Sequence, residues 1–297
     1  MICCSPNKEE LIVVPKAEEF LLNPNSTGIF KFSPEGFHND KIINVYYHIP
    51  NSNVKNLPIL ISLHGNSRNA DDYRDCWIEM ANSNGFMVFA PEFNRTDFPT
   101  GDQYNLANIF YDGDNPSSET YNSSEKWTFS IIDQLFDHIV KTFNGNQINF
   151  DAWGHSAGAQ FLQRYVMYQP DSKSNIIVCS NAGWYTVPEK KIPFPYGLSK
   201  SQLSDSTLKK AFLKKLYIHL GEEDTDSDSP SLRHNEIVDQ QQGTNRRARG
   251  RYFFNTSEEN AELLNSSFNW IKTEEVKNVG HDYELMAKDA LQYFQKN

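Results

Sequence analysis

Gln147-Ile148-Asn149-Phe150-Asp151-Ala152-Trp153, then Gly154-His155-Ser156-Ala157-Gly158, then Ala159-Gln160-Phe161-Leu162-Gln163-Arg164-Tyr165-Val166-Met167-Tyr168: this stretch decides the fold. Its first part is short, β-prone and apolar at alternate positions, and its last part carries apolar residues at helical spacing. Between them lies a reversal so tight that strand and helix backbones must nearly touch. Gly154 and Gly158 supply the room, and the turn pushes the Ser156 hydroxyl out above the sheet edge. G-x-S-x-G alone is a common pentapeptide. With a strand before it and a helix after it, Ser156 reads as a nucleophile.

A serine hydroxyl needs a base, and the base needs an orienting acid. Leu216-Tyr217-Ile218-His219-Leu220 reads as a buried strand running into Gly221-Glu222-Glu223-Asp224, which places a carboxylate just past the strand end. Phe268-Asn269-Trp270-Ile271-Lys272 alternates like another strand and is followed by Val279-Gly280-His281-Asp282. The order is therefore serine, acid, histidine, each in a loop after a predicted strand, where open α/β sheets place their ligands. A fourth element, the apolar strand from Leu57 to Leu63, runs into His64-Gly65-Asn66-Ser67.

These four features, in this order, resemble the α/β-hydrolases, and most of all the small esterases related to polyhydroxybutyrate depolymerases and feruloyl esterases. The resemblance spans roughly residues 40–296 and rests on His64-Gly65, Gly154 to Gly158, Gly221-x-x-Asp224 and Gly280-His281. Asn181-Ala182-Gly183-Trp184-Tyr185-Thr186 and Phe194-Pro195-Tyr196-Gly197 also look like features of that group, without naming a substrate. The resemblance implies an α/β-hydrolase fold, a mostly parallel central sheet flanked by helices with no large cap domain. It implies a serine esterase with Ser156 as nucleophile, His281 as base, Asp224 as acid, and no cofactor. The oxyanion hole would use the backbone N–H of Ala157 and that of Asn66, with Ser67 the less favoured second donor. The depolymerases often carry Cys after His-Gly, where this chain has Asn66; a backbone donor tolerates the change, but it weakens any claim to depolymerase activity itself.

Length, composition and charge bound the rest. A chain of 297 residues with 38% hydrophobic residues, 20 Phe and 14 Tyr can bury a sizeable core. No linker or repeat divides it, so residues 29–297 read as one domain behind an irregular N-terminal arm, 1–28, where Pro6, Pro15 and Pro24 discourage long elements. A net charge of −10 argues against nucleic acid or an anionic membrane as partner. The basic run Arg246-Arg247-Ala248-Arg249-Gly250-Arg251 reads better as neutralising the acidic loop 222–228, or capping a helix, than as a polyanion site. The four cysteines make no disulfide framework: Cys76 falls in an amphipathic helix, Cys179 in an apolar strand, and Cys3 and Cys4 are adjacent. With no apolar stretch before Cys3 and Cys4, no export signal is legible, and the compartment reads as cytoplasmic unless an upstream segment makes that pair a lipid anchor. Sequons begin at Asn25, Asn94, Asn122, Asn255 and Asn265, as an Asn- and Ser-rich chain produces by chance. No run approaches the roughly 20 apolar residues that cross a bilayer.

Strands at 29–33 and 41–49 read as an antiparallel lead-in to the sheet. A helix is expected from Asp71 to Asn82 capped by Asn69, a strand over Phe86–Ala90, a helix over 124–143, and a strand over 175–180. Helices from Arg246 to Leu264 and from Tyr283 to Phe294 flank the last strand. Two long segments, 94–122 and 184–214, lack a simple period and read as walls of a substrate cleft, with Tyr111, Trp184 and Tyr185 as lining candidates. Asp224-Thr225-Asp226-Ser227-Asp228 opens like a calcium loop, but position six is Ser229 and position twelve is Asn235, which defeats that reading. Within the run Asp224 is favoured as the acid, and Asp226 is expected to pair with one of the arginines at 246–251. His64 reads as a structural member of the oxyanion loop. No histidine pair has metal-ligand spacing, so no metal is expected. The alternatives are a serine peptidase or amidase on the same fold, and a ligand-binding relative without turnover.

Overall fold

The computed structural model describes residues 23–295. Most of the arm 1–28, with Cys3 and Cys4, lies outside the described residues, while Ser26, Thr27 and Gly28 already belong to the first strand. Eight strands form one sheet in the order β1-β2-β4-β3-β5-β6-β7-β8. β1 (Ser26–Phe32), β2 (Ile43–Ile49) and β4 (Met87–Pro91) pair antiparallel, as the lead-in reading expects. From β4 onward, β3 (Ile59–Leu63), β5 (Phe150–His155), β6 (Ser174–Ser180), β7 (Lys215–His219) and β8 (Ile271–Lys272) are parallel.

The parallel strands are buried on both faces, so they read as continuous apolar runs, and the period of two shows only in where each residue packs. Ile59, Ile61 and Leu63 face one core with Ile177 and Cys179, while Leu60, Ile176 and Val178 face the other. The first core is covered by α3 (Ser130–Phe143), α4 (Ala157–Tyr168), α5 (Asp205–Phe212) and α7 (Arg246–Leu263). The second is covered by α1 (Ala70–Asp75), α2 (Ile78–Asn84) and α8 (Tyr283–Phe294), with Trp77 edge-on to Trp153 at its centre.

Three expectations are corrected. The helix expected over 71–82 is two short helices, because the chain breaks at Cys76 and Trp77 to bury Trp77 wholly between Phe86, Trp153 and Phe294. Asn69 caps no backbone donor with its side chain, which bonds Asp72 instead. The helix expected from 124 begins at Ser130, after a short 3-10 turn over Ser124–Lys126. A further helix, α6 (Glu236–Gln242), lies outside every element expected from the sequence; Asn235 accepts the N–H of Val238 at its start. Among the described residues no helix is long and apolar enough to cross a membrane.

Candidate active site

Ser156 is the last residue before α4 and has φ 56 and ψ −114, a backbone state a side-chain-bearing residue holds only under constraint. The constraint is local. A Cβ on Gly158 would overlap the carbonyl oxygen of Leu63, and one on Gly154 would stand 2.5 Å from the carbonyl carbon of Gly158. Glycine at both positions is therefore obligatory for the close approach that the sequence suggests. The N–H of Ser156 donates to the carbonyl of Ser180 at 3.0 Å, tying the turn to the end of β6. Ala157 opens α4, so its N–H has no acceptor within the helix.

The loop after β3 lies against this turn: a Cβ on Gly65 would be 3.6 Å from the Ser156 Cβ. His64 is wholly buried, its Nδ1–H donating to the Gly65 carbonyl and its Nε2 accepting the N–H of Phe93. Burial pushes its pKa down to about 3, so it is a neutral structural member of the loop and not a base. Arg95 donates to the Asn66 carbonyl at 2.8 Å, which orients that peptide. Arg68 clamps the following segment through the carbonyls of Phe93 and Thr100, with its guanidinium over the Tyr104 ring.

His281 and Asp224 meet. The Nδ1 of His281 lies 2.8 Å from Oδ2 of Asp224, and the imidazole ring is 4.4 Å, centroid to centroid, from that of His155, the residue before Ser156. The acid and histidine loops interlock: Glu222 N–H donates to Val276 and Glu223 N–H to Val279. His155 itself is buried, with its Nδ1 3.1 Å from the Tyr73 hydroxyl, and burial holds its pKa well below the usual histidine value.

One pairing is corrected. Asp224, not Asp226, takes an arginine: Arg246 Nη1 lies 3.4 Å from Asp224 Oδ1, and both side chains are about 1% exposed. The same guanidinium donates to Ser229 and Ser231 at 3.2 and 2.9 Å. Asp226 stands in solvent and accepts the N–H of Asp228. The remaining arginines of the run pair locally, Arg249 with Asp239 and both Arg247 and Arg251 with Glu275, so the stretch is an ion-pair seam. A carboxylate this deep, held by a cation on one oxygen and an imidazole on the other, is kept by both partners together.

Segments 94–122 and 184–214 touch: Lys200 donates to the Pro116 carbonyl, and the rings of Phe110 and Phe194 lie 4.6 Å apart. A recess of about 730 Å³ beside this contact is lined by Asp114, Phe194, Lys200 and Arg233, with Arg233 donating to Asp114, and its lining includes none of Ser156, Asp224 and His281. The three lining candidates fare differently. Tyr185 has no exposed surface, stacks on Phe253 and is bound through its backbone to Gln242, so it packs the core. Trp184 is held between Arg164 and Arg233, whose guanidinium carbons stand 4.4 and 4.8 Å from its ring. Arg164 is wholly buried on α4 with no carboxylate partner among the described residues, and burial pulls its pKa down to about 9. Tyr111 is exposed, at a separate recess with Phe37, His38 and Phe98. Among the described residues no three His, Cys, Asp or Glu side chains gather as metal ligands would.

Two arrangements have no role assigned from the sequence. Ser180 Oγ accepts the indole N–H of Trp153 and lies 2.8 Å from His219 Nδ1, whose Nε2–H donates to Asp289, all beneath the site. Asn181, the next residue, is fully buried at φ 50 between the acid and histidine loops.

Solved structures share this architecture. A poly(aspartic acid) hydrolase-1 from Sphingomonas sp. KT-1 superposes with a TM-score of 0.84 at 33% identity, over 91% of this chain and 98% of that one. A poly(3-hydroxybutyrate) depolymerase from Bordetella parapertussis superposes with the same score at 25% identity, over 91% and 89% of the two chains. A siderophore hydrolase from Aspergillus nidulans, at 13% identity and a TM-score of 0.53 over 91% and 94%, shares the fold. No protein-family model matches the chain, and no curated protein sequence does.

Proposed function

The chain belongs to the α/β-hydrolase superfamily, in the company of polyhydroxybutyrate depolymerases and related esterases, and from that premise we propose that it hydrolyses a carboxylic ester through an acyl-enzyme on Ser156. Ser156 Oγ attacks the ester carbonyl while His281 Nε2 takes its proton. Asp224 fixes the proton on Nδ1 and stabilises the imidazolium that forms. The oxyanion accepts the N–H of Ala157, the unpaired first turn of α4, and the N–H of Asn66; such donors are typically worth about 3–4 kcal/mol each in the transition state. Collapse of the tetrahedral adduct releases the alcohol, which takes the proton from Nε2. A water then gives a proton to Nε2, attacks the acyl-enzyme, and frees the acid and Ser156.

The observation that carries this reading is the 2.8 Å hydrogen bond from His281 to a buried carboxylate, with the imidazole 4.4 Å from the ring of His155, whose successor Ser156 is held at φ 56 on a strand-to-helix turn. A fluorophosphonate probe tests it, since only an activated serine reacts with one. Labelling should map to Ser156, vanish in Ser156→Ala, and run parallel with hydrolysis of p-nitrophenyl esters. Absence of labelling in the native protein, or its persistence in Ser156→Ala, would place the chemistry elsewhere. Amide cleavage is the second reading, favoured because the relative at 33% identity is named for poly(aspartic acid), a polyamide. Matched ester and amide substrates with one acyl group separate the two.

A further inference from the structure

Three loops carry Ser156, Asp224 and His281, and all three are pinned to two consecutive residues at the end of β6. The carbonyl of Ser180 takes the N–H of Ser156 at 3.0 Å. The Asn181 carboxamide does the rest: Oδ1 accepts the N–H of Gly221 at 2.8 Å, and Nδ2 donates to the carbonyl of Gly280 at 2.9 Å. Gly221 stands three residues before Asp224, and Gly280 immediately precedes His281. The Asn181 N–H meanwhile donates to the carbonyl of His219, fixing the base of the side chain to the end of β7.

Resting on the Ser156–Asp224–His281 reading above, we propose that Asn181 is a positioning residue whose single carboxamide sets the spacing between the acid loop and the histidine loop. The requirement is narrow. The position needs one short side chain that accepts on one atom and donates on the other, because a backbone N–H faces it on one side and a backbone carbonyl on the other. Aspartate keeps the acceptor but turns the donor into a second anionic oxygen facing the Gly280 carbonyl. Serine and alanine cannot bridge both loops. The backbone state, φ 50, also favours asparagine or glycine over most residues. Backbone approach adds a second constraint: a Cβ on Gly221 would overlap the Val279 carbonyl oxygen and stand 2.8 Å from that of Gly280. The loops touch directly, and a bridge lost at Asn181 is expressed as a shift of one against the other. Displacements on the order of 1 Å at a reacting centre cost about 100-fold in rate.

The test compares Asn181→Gly, which suits the backbone and removes both bonds, with Asn181→Asp, which keeps only the acceptor. Each is confirmed as native by circular dichroism at the assay temperature. Expected in both is a fall in kcat of about 10- to 100-fold with KM changed less than about twofold, and a matching fall in the fluorophosphonate labelling rate. A purely structural role would lower the melting temperature and leave kcat per folded molecule unchanged. A native Asn181→Gly with kcat and labelling rate within about twofold of the parent overturns the proposal; if glycine does not fold, Asn181→Asp is judged by the same limits. Failure of both to fold also overturns it, because Asn181 is then a determinant of the fold. The labelling of the parent protein at Ser156 keeps this outcome distinct: if the parent is not labelled, the triad reading fails first.

Discussion

Replacing Arg246 by methionine removes the cation from Asp224 and keeps most of the buried volume. Both side chains of the pair are about 1% exposed, so water does not screen the loss. Breaking a buried pair by deleting one partner typically costs about 3–5 kcal/mol, mostly the penalty of leaving a charge without compensation. His281 still donates to the other carboxylate oxygen, which argues for the lower half of that range. Unfolding entropy near the melting point, for a chain of this length, is roughly 0.6 kcal/mol per kelvin, so the expected drop in Tm is about 5–7 °C. Thermal unfolding followed by circular dichroism reads it. The informative comparison is the double variant Arg246→Met with Asp224→Asn, in which the uncompensated charge is gone. It should melt above Arg246→Met alone, a coupling of the size that contacting residues show, about 0.5–3 kcal/mol. Additive losses across the four proteins, or an Arg246→Met that melts within about 1 °C of the parent, would refute the argument that Arg246 compensates Asp224.

Ser156→Ala should lose turnover by about 10⁴–10⁶ in kcat with Tm little changed, because the side chain sits on a half-exposed turn; more than a tenth of the activity in folded protein refutes it. Asp224→Asn should lower kcat far more than Asp226→Asn, since Asp226 stands in solvent and touches only its own loop; steady-state kinetics of the purified variants decides, and the reverse ranking transfers the acid role. Burial lowers the pKa values of His64, His155 and His219, so the unfolded chain binds more protons than the native one below about pH 6.5. Stability present above that pH is therefore lost as pH falls, at up to about 1.4 kcal/mol per pH unit for each histidine, and the loss ends sooner for His219, whose Asp289 partner opposes the shift. Melting temperatures between pH 7 and 5 check the sign; a flat or rising Tm on acidification contradicts it.

What was legible in the chain is what its chemistry makes local. Gly154 and Gly158 flank Ser156 within five residues, and the contacts that forbid a Cβ at each are with the turn itself and the neighbouring strand end. Chain order brought Asp224 and His281 into the same reading, because each follows a strand whose apolar run is plain. Arg246 escaped because its partner lies 22 residues away, and nothing between them says that Asp224, and not Asp226, turns inward. Asn181 escaped for a different reason: both of its partners are backbone atoms, which have no letter in a sequence. Tyr185 misled because an aromatic just past a strand end reads the same whether it faces a cleft or, as here, packs on Phe253. The helix expected over 71–82 failed at Trp77, where burying a large indole against Trp153 outweighed an unbroken hydrogen-bond ladder.

Among the described residues, Ser156 with His281 and Asp224 is matched by a second grouping of a serine, a histidine and a carboxylate. Ser180 touches His219, and His219 touches Asp289, yet Ser180 is sealed from solvent and its oxygen already holds the indole N–H of Trp153. To attack a carbonyl it would have to surrender that indole and open the interface between β5 and β6. With its neighbours it supplies cohesion, stitching β5, β6, β7 and the last helix together. Reactivity in this molecule is thus a matter of address more than of company: an electrophile small enough to reach any serine at the surface should still find one of these two and never the other, however alike their partners look.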